Sequence, residues 1–240
     1  MEVFTLAAGG ALPMGAVSEL HERGFVVIPG PVPPDRMDRL INAYTTAVAS
    51  ATGDDIRVGS TSTRVSDFVN RGSEFDDLYV FPPLLEACRN IIGGPFKLSS
   101  LHARTVRPHT PAQALHVDVQ RDSADWPLLG FILMVDPFRA DNGATRFVPG
   151  SHNWPGTPAD SMSDPLTGQR VLACGGTGSL LVFNGSAWHG HSANTSSGPR
   201  RSIQGAFIPR EGRAGTDFAA RMPPETRARL GPLARHVLAF

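Results

Sequence analysis

From Phe96 to about Pro209 the chain has no sustained helical period, and this constrains its fold more than any other feature. Short apolar or alternating runs are separated by Gly, Pro, Asn and Ser, the pattern of strands and turns. Strands are predicted near 96–106, 114–120, 128–136, 144–148, 170–173, 179–184, 187–191 and 201–209. Many short strands of this kind argue a β-sandwich or barrel, and the reading is a jelly-roll β-core with helices on its flank. Residues 150–169, rich in Pro, Gly, Ser and Asp, read as a long loop over one end.

The preceding residues follow a different grammar. Residues 13–23 suit a short helix that Gly24 stops, and Phe25 to Ile28 a strand that turns at Pro29-Gly30. Pro33-Pro34-Asp35 opens a second helix, whose apolar positions Met37, Leu40, Ile41, Tyr44 and Val48 keep a helical period. Pro82-Pro83 opens another, with Leu84, Leu85, Cys88, Ile91 and Ile92 inward and Gly93-Gly94 at its end. Between them, 52–73 is polar and Gly-interrupted; it reads as a long loop, either a binding loop carrying Arg64 or a plain surface loop. The tail, 216–238, reads as helix broken by Pro223-Pro224 and Pro232. The expectation is one domain over 1–240: a helical flank mainly at 13–95, a β-core at about 96–209 and a helical tail at about 216–238.

Charge and cysteine content exclude some classes of function. Lys+Arg and Asp+Glu are 22 each, so no basic footprint for nucleic acid exists. Cys88 and Cys174 make no disulfide framework, which favours a reduced, cytoplasmic protein. The small apolar stretch from Leu6 to Val17 lacks a basic leader. The apolar run Leu128 to Val135 is too short to cross a bilayer, so no membrane partner is expected.

The chemistry is concentrated in Gln113-x-x-His116-x-Asp118. On a strand, residues i and i+2 share a face roughly 6–7 Å apart, so an imidazole and a carboxylate can meet on one ion. A further His would complete a 2-His-1-carboxylate triad for Fe(II). Alone, His-x-Asp is equally at home in a polar turn. Two more segments accompany it: Asp141-Asn-Gly-Ala-Thr-Arg-Phe-Val-Pro-Gly-Ser-His152, and Gly178 through Trp188-His189-Gly-His191 to Asn194, followed by Pro199-Arg200-Arg201.

In order and spacing these segments resemble the phytanoyl-CoA dioxygenase family of Fe(II)/2-oxoglutarate-dependent oxygenases, from Gly24 to about Phe207. The resemblance implies a double-stranded β-helix, with Fe(II), 2-oxoglutarate and O2 consumed and succinate and CO2 released. It implies His116, Asp118 and His189 as iron ligands, with His191 the competitor for the third place. His189 is preferred because it follows Trp188 and sets Asn194 at the family's offset. Arg200, eleven residues on, matches the arginine that takes the distal carboxylate of 2-oxoglutarate; Arg201 beside it would face the other way in a strand. Gln113 and Thr145 match further co-substrate contacts, and Arg64 another; their plain readings are strand residues and, for Arg64, loop surface. His102 and Arg104 alternate on one strand and stay unassigned, and His152 reads as a turn residue bonded to backbone. Related halogenases lack the carboxylate ligand, so Asp118 implies hydroxylation, desaturation or ring formation over halogenation. The implied substrate is a small molecule, and natural-product biosynthesis its setting. Phe68, Trp126, Phe131, Trp154 and Phe207 are candidates for its contacts, each also a candidate for plain core. The rival functions are a cupin-like metal enzyme without 2-oxoglutarate and a non-catalytic small-molecule binder.

Overall fold

The computed structural model describes Phe4 and residues 10–120, 127–158 and 169–240. A first helix α1 (Met14–Arg23) ends at Gly24, whose φ of 84° is the left-handed conformation a side chain resists. Strand β1 (Phe25–Pro29), helix α2 (Met37–Ala49) and the hairpin strands β2 (Ile56–Val58) and β3 (Ser62–Val65) follow. Next come α3 (Asp76–Tyr79), α4 (Pro82–Ile92) and the long β4 (Phe96–Val106). The β-region continues as β5 (Leu129–Met134), β6 (Thr145–Phe147), β7 (Val171–Ala173), β8 (Ser179–Asn184), β9 (His189–His191) and β10 (Arg200–Pro209). Three short helices, α5 (Phe218–Arg221), α6 (Pro224–Arg229) and α7 (Pro232–Leu238), close the chain.

Two antiparallel sheets form, ordered β1-β8-β5-β10-β4-β3-β2 and β7-β6-β9. This is the jelly roll expected from the strand spacing. Alternation along each strand splits the large sheet's side chains between two cores. Val26, Ile28, Phe131, Leu133, Leu180, Val182, Ile203 and Phe207 face outward, where α2, α4 and α7 supply Leu40, Tyr44, Leu84, Cys88 and Val237. Phe25, Ile132, Met134, Leu181 and Phe183 face inward against Phe147 and Ala173 of the small sheet. Burial of these groups, at about 25 cal/mol per Å2, is the main force closing the two layers. The inner faces of β4 and β10 break the apolar pattern with His102, Arg104, Arg200 and Gln204, which line a cavity instead. No helix among the described residues is long and apolar enough to cross a membrane.

Two expectations need correction. Residues 52–73 are not a plain loop: β2 and β3 form an edge hairpin paired to β4. The hairpin was hidden because β2 is exposed at every position and so has no apolar alternation to betray it. The strand expected at 114–120 reduces to one bridge, His116 opposite His189. There the two residues exchange backbone hydrogen bonds of 2.9 and 3.0 Å, after which the chain leaves β9 and the Asp118 N–H donates to the Gly185 carbonyl at 2.9 Å. The sheet also draws on β1, β2 and β3, which lie before residue 96.

Candidate active site

Three side chains converge at the open end between the sheets. His116 and Asp118 come from the irregular crossing segment and His189 from the start of β9. Ligand atoms of the three lie within 4.8 Å of one another. Each imidazole Nε2 sits 3.7 Å from Asp118 Oδ1. The opposite ring nitrogens are engaged: His116 Nδ1 with the Ala114 carbonyl at 3.3 Å, and His189 Nδ1 with that of Ala187 at 2.9 Å. A carbonyl can only accept, so each Nδ1 carries a proton and each Nε2 is the nitrogen directed toward the carboxylate. Burial, then the neighbouring His189, pushes His116 down to about 4, which keeps the ring neutral at ordinary pH. Neutral imidazole and ionised carboxylate are the protonation states a divalent cation requires. Two nitrogens and one carboxylate, with Asp118 partly exposed on one side, suit Fe(II) with open coordination positions.

Backbone anchors hold this cluster in place. Trp188, fully buried, donates its N–H to Ser151 Oγ at 2.8 Å and accepts at its carbonyl from Val148 N–H at 3.0 Å. That fixes the strand one residue before His189. Gly190 lets the crossing segment lie against β9, since a Cβ there would stand 2.9 Å from the Ala114 carbonyl oxygen. His191, on the same strand face, points elsewhere: its Nε2 meets Thr61 Oγ1 at 2.8 Å and its Nδ1 the Ser192 carbonyl at 2.8 Å. It is not among the three groups that can share an ion.

A cavity of about 230 Å3 adjoins the cluster, and Gln113, Thr145, Arg64 and Arg200 all line it. Arg200 is fully buried at the first position of β10, and strand parity aims it inward. Its Cζ stacks 4.1 Å from the Phe138 ring centroid, and none of its three guanidinium nitrogens has a hydrogen-bond partner. Burial, then the nearby Arg104, lowers it to about 9. A buried, unpaired guanidinium fork facing a cavity fits a carboxylate in two-point contact. Arg201 faces the other way, where Asp136 accepts from it at 2.7–3.2 Å. Gln113 Oε1 accepts from Arg104 Nη2 at 2.9 Å, which leaves the Gln113 amide nitrogen free to donate. Thr145 is buried on β6 opposite His191.

Other candidates fall away from the site. Phe68 is buried between Tyr44 and Phe75, and Phe207 packs on Phe96 and Phe131 in the outer core, because their strand and helix faces point from the cavity. Trp154 packs edge-on to Trp188, 5.2 Å away. Phe131 belongs to the outer core, although it also borders the cavity. Trp126 lies outside the described residues. His152 is buried and its Nε2 meets the His21 carbonyl at 3.0 Å, the turn role expected of it. Asn194 shapes the loop toward Arg200, accepting from Ser196 and donating to the Gly198 carbonyl. His102 and Arg104, left without a role from the sequence, both line the cavity; their alternate spacing on an inward strand face was the signal.

Comparison with known proteins identifies the family. Residues 20–202 match the profile of the family described as phytanoyl-CoA dioxygenase (PhyH), which covers more than half of the chain. A relative from Emericella nidulans, the multifunctional dioxygenase ausE, is 30% identical over 91% of this chain and 80% of its own length. Two solved structures share the fold at 18% identity. The non-heme alpha ketoglutarate dependent carbocyclase SnoK from nogalamycin biosynthesis superposes with a TM-score of 0.72 over 92% of this chain and 95% of its own. The epimerase SnoN, in complex with Fe3+, alpha ketoglutarate and nogalamycin RO, gives 0.71 over 88% and 90%.

Proposed function

The chain belongs to the phytanoyl-CoA dioxygenase family, and on that premise we propose that it is an Fe(II)/2-oxoglutarate-dependent dioxygenase that hydroxylates a small-molecule metabolite of a natural-product pathway. In this reading His116, Asp118 and His189 hold the iron, and Arg200 takes the distal carboxylate of 2-oxoglutarate. When bound, iron and 2-oxoglutarate together supply the activation of O2 that oxidises the substrate, with succinate and CO2 as co-products. The protein's own part is geometry. Gln113, turned by Arg104, offers amide protons to the co-substrate; Thr145 and Arg64 border it from β6 and β3. The Ala114 and Ala187 carbonyls, each engaging an Nδ1, would keep both Nε2 atoms aimed at a bound ion. Related halogenases lack the carboxylate that Asp118 would supply to the iron, so its presence favours hydroxylation or another oxidation such as desaturation or cyclisation.

The observation that carries this reading is the joint placement of a three-ligand cluster and a buried, partnerless guanidinium on one cavity. The test is anaerobic titration of the Fe(II)-loaded protein with 2-oxoglutarate, followed through the weak visible charge-transfer band of the chelate. A saturable band is expected. Iron bound without a band would instead support a cupin-like enzyme, and absence of iron binding a plain binder.

A further inference from the structure

Beside the metal cavity the hairpin carries a feature that the co-substrate accounts for only in part. Arg57, Arg64 and Arg104 stand directly opposite one another on β2, β3 and β4. Opposed residues of antiparallel strands share a face, and like charges so placed repel. Elsewhere such arginines meet carboxylates: Arg71 and Arg221 at Asp55, Arg201 at Asp136, Arg229 at Asp76. This row has none. Arg104 donates only to Ser62 Oγ and Gln113 Oε1, and the side chains of Arg57 and Arg64 have no hydrogen-bond or ion-pair partner among the described residues.

The row lines a cleft of about 490 Å3. The cleft's other walls include Val58, Pro111 and Ala112, and Val58 is 73% exposed although apolar. The cleft shares Arg64, Arg104 and Gln113 with the metal cavity, so the two spaces have a common wall. In the oxygenase reading Arg200 would take the distal carboxylate of 2-oxoglutarate, and Gln113 would serve the end nearer the ion held by His116, Asp118 and His189. Arg64 also borders the co-substrate, yet a row of three further guanidiniums exceeds that need, and Pro111 and Ala112 beside it offer apolar surface that a carbon skeleton would cover.

Resting on the oxygenase reading, we propose that this cleft is the substrate's anion subsite: the substrate is a small-molecule acid, a carboxylate or phosphate ester with an apolar body, and its charged group lies on Arg57, Arg64 and Arg104. The repulsion within the row is then relieved when substrate binds, which couples substrate recognition to the position of Gln113 through Arg104.

The probe is inorganic phosphate, titrated calorimetrically into anaerobic Fe(II)-loaded protein already saturated with 2-oxoglutarate. One phosphate site is expected, weakened about tenfold in Arg57→Gln and lost when Arg64→Gln is added. Arg57 is exposed on an edge strand, so the single variant should fold, as circular dichroism will verify. Its 2-oxoglutarate affinity, read separately from the charge-transfer band, should stay within about twofold of wild type. No phosphate binding to the wild type, or binding indifferent to Arg57→Gln, would overturn the proposal. So would equal losses of phosphate and 2-oxoglutarate, which would place the row in the co-substrate's own site. If phosphate fails while the band forms normally, the anion subsite falls and the oxygenase reading stands; if the band also fails, both fall.

Discussion

Arg200→Met separates a functional charge from a structural one. The substitution keeps a long flexible side chain but removes an ion that is fully buried with three partnerless nitrogens. Burying an ion costs several kcal/mol even after relaxation. Its stacking on Phe138, at 4.1 Å, returns about 2 kcal/mol in a desolvated setting. The difference leaves ligand-free Arg200→Met more stable than wild type, on the order of 1–3 kcal/mol. At about 2–4 °C per kcal/mol for a chain of this size, Tm rises by roughly 2–12 °C. The 2-oxoglutarate response runs the other way. In the wild type, co-substrate at a hundredfold over its Kd adds about 2.7 kcal/mol, which the same conversion makes about 5–11 °C. Truncating one partner of a buried charge pair costs about 2–5 kcal/mol, roughly thirty- to several-thousand-fold in Kd, so Arg200→Met should show no such rise. Arg201→Met is the control: it loses the Asp136 pairing, melts lower, and keeps the full 2-oxoglutarate shift. The assay is thermal denaturation of anaerobic Fe(II)-loaded protein, with and without 2-oxoglutarate. An Arg200→Met protein that melts lower without ligand yet gains the full shift would refute both the burial argument and the role assigned to this residue.

Three further outcomes follow from the geometry. His116→Ala and Asp118→Ala should each abolish turnover and lower Fe(II) affinity while far-ultraviolet circular dichroism stays unchanged; undiminished iron affinity in either variant would remove that residue from the ligand set. Gly190→Ala should weaken Fe(II) binding about tenfold or more, because its Cβ would press on the Ala114 carbonyl at 2.9 Å and shift the segment that carries His116; calorimetric titration reads the change, and unaltered affinity would mean the crossing segment tolerates the displacement. Burial, with Arg64 and Arg104 beside it, lowers His102 to about 3, and burial lowers His191 to about 4. Both bind protons more readily when unfolded, near the ordinary histidine value of about 6.5. Their contribution to stability is therefore complete above that value and lost as pH falls toward the folded values. Melts of metal-free protein between pH 7 and 5 should show that decline, and His102→Gln should make it shallower; an identical slope in the variant would count against the burial of His102 as its cause.

The sequence discloses most where periodicity and punctuation act together. The strands from Phe96 to Pro209 were legible because each is a short alternating or continuously apolar run between turn formers, and α4 because Pro82 and Gly93 bracket an apolar stripe. Parity on β10 also predicts that Arg200 and Arg201 face opposite ways, and Asp136 and the cavity take one each. What escaped was structure held by its neighbours rather than by its own pattern. β2 is exposed throughout and exists because β3 pairs with it. The segment around His116 has no strand of its own; a single bridge to β9 and the Gly185 carbonyl fix it. Arg104 shows the same limit at the level of chemistry. Its inward direction could be read from alternation with His102, but its hold on Gln113 depends on a partner nine residues away across a turn.

The edge hairpin would be a weak place to mount recognition residues, since exposed edge strands have little packing to fix them. Here it is tied down at both ends and at the tip. Asp55, just before β2, receives Arg71 and Arg221; Asp67, just after β3, receives Arg221 as well. At the tip Thr61 meets His191, and Arg107 reaches the carbonyls of Gly59 and Ser60. Surface ion pairs are worth only about 0–1 kcal/mol each, so these contacts add little to global stability. Their effect is local: they set the position of a strand that has no core face of its own. Arg221 belongs to α5, so the C-terminal tail, far from the metal cluster in sequence, helps to determine where Arg57 and Arg64 stand relative to it. Asp55 and Asp67 thus hold the hairpin's base, while the arginines opposed along it keep no carboxylate partner among the described residues.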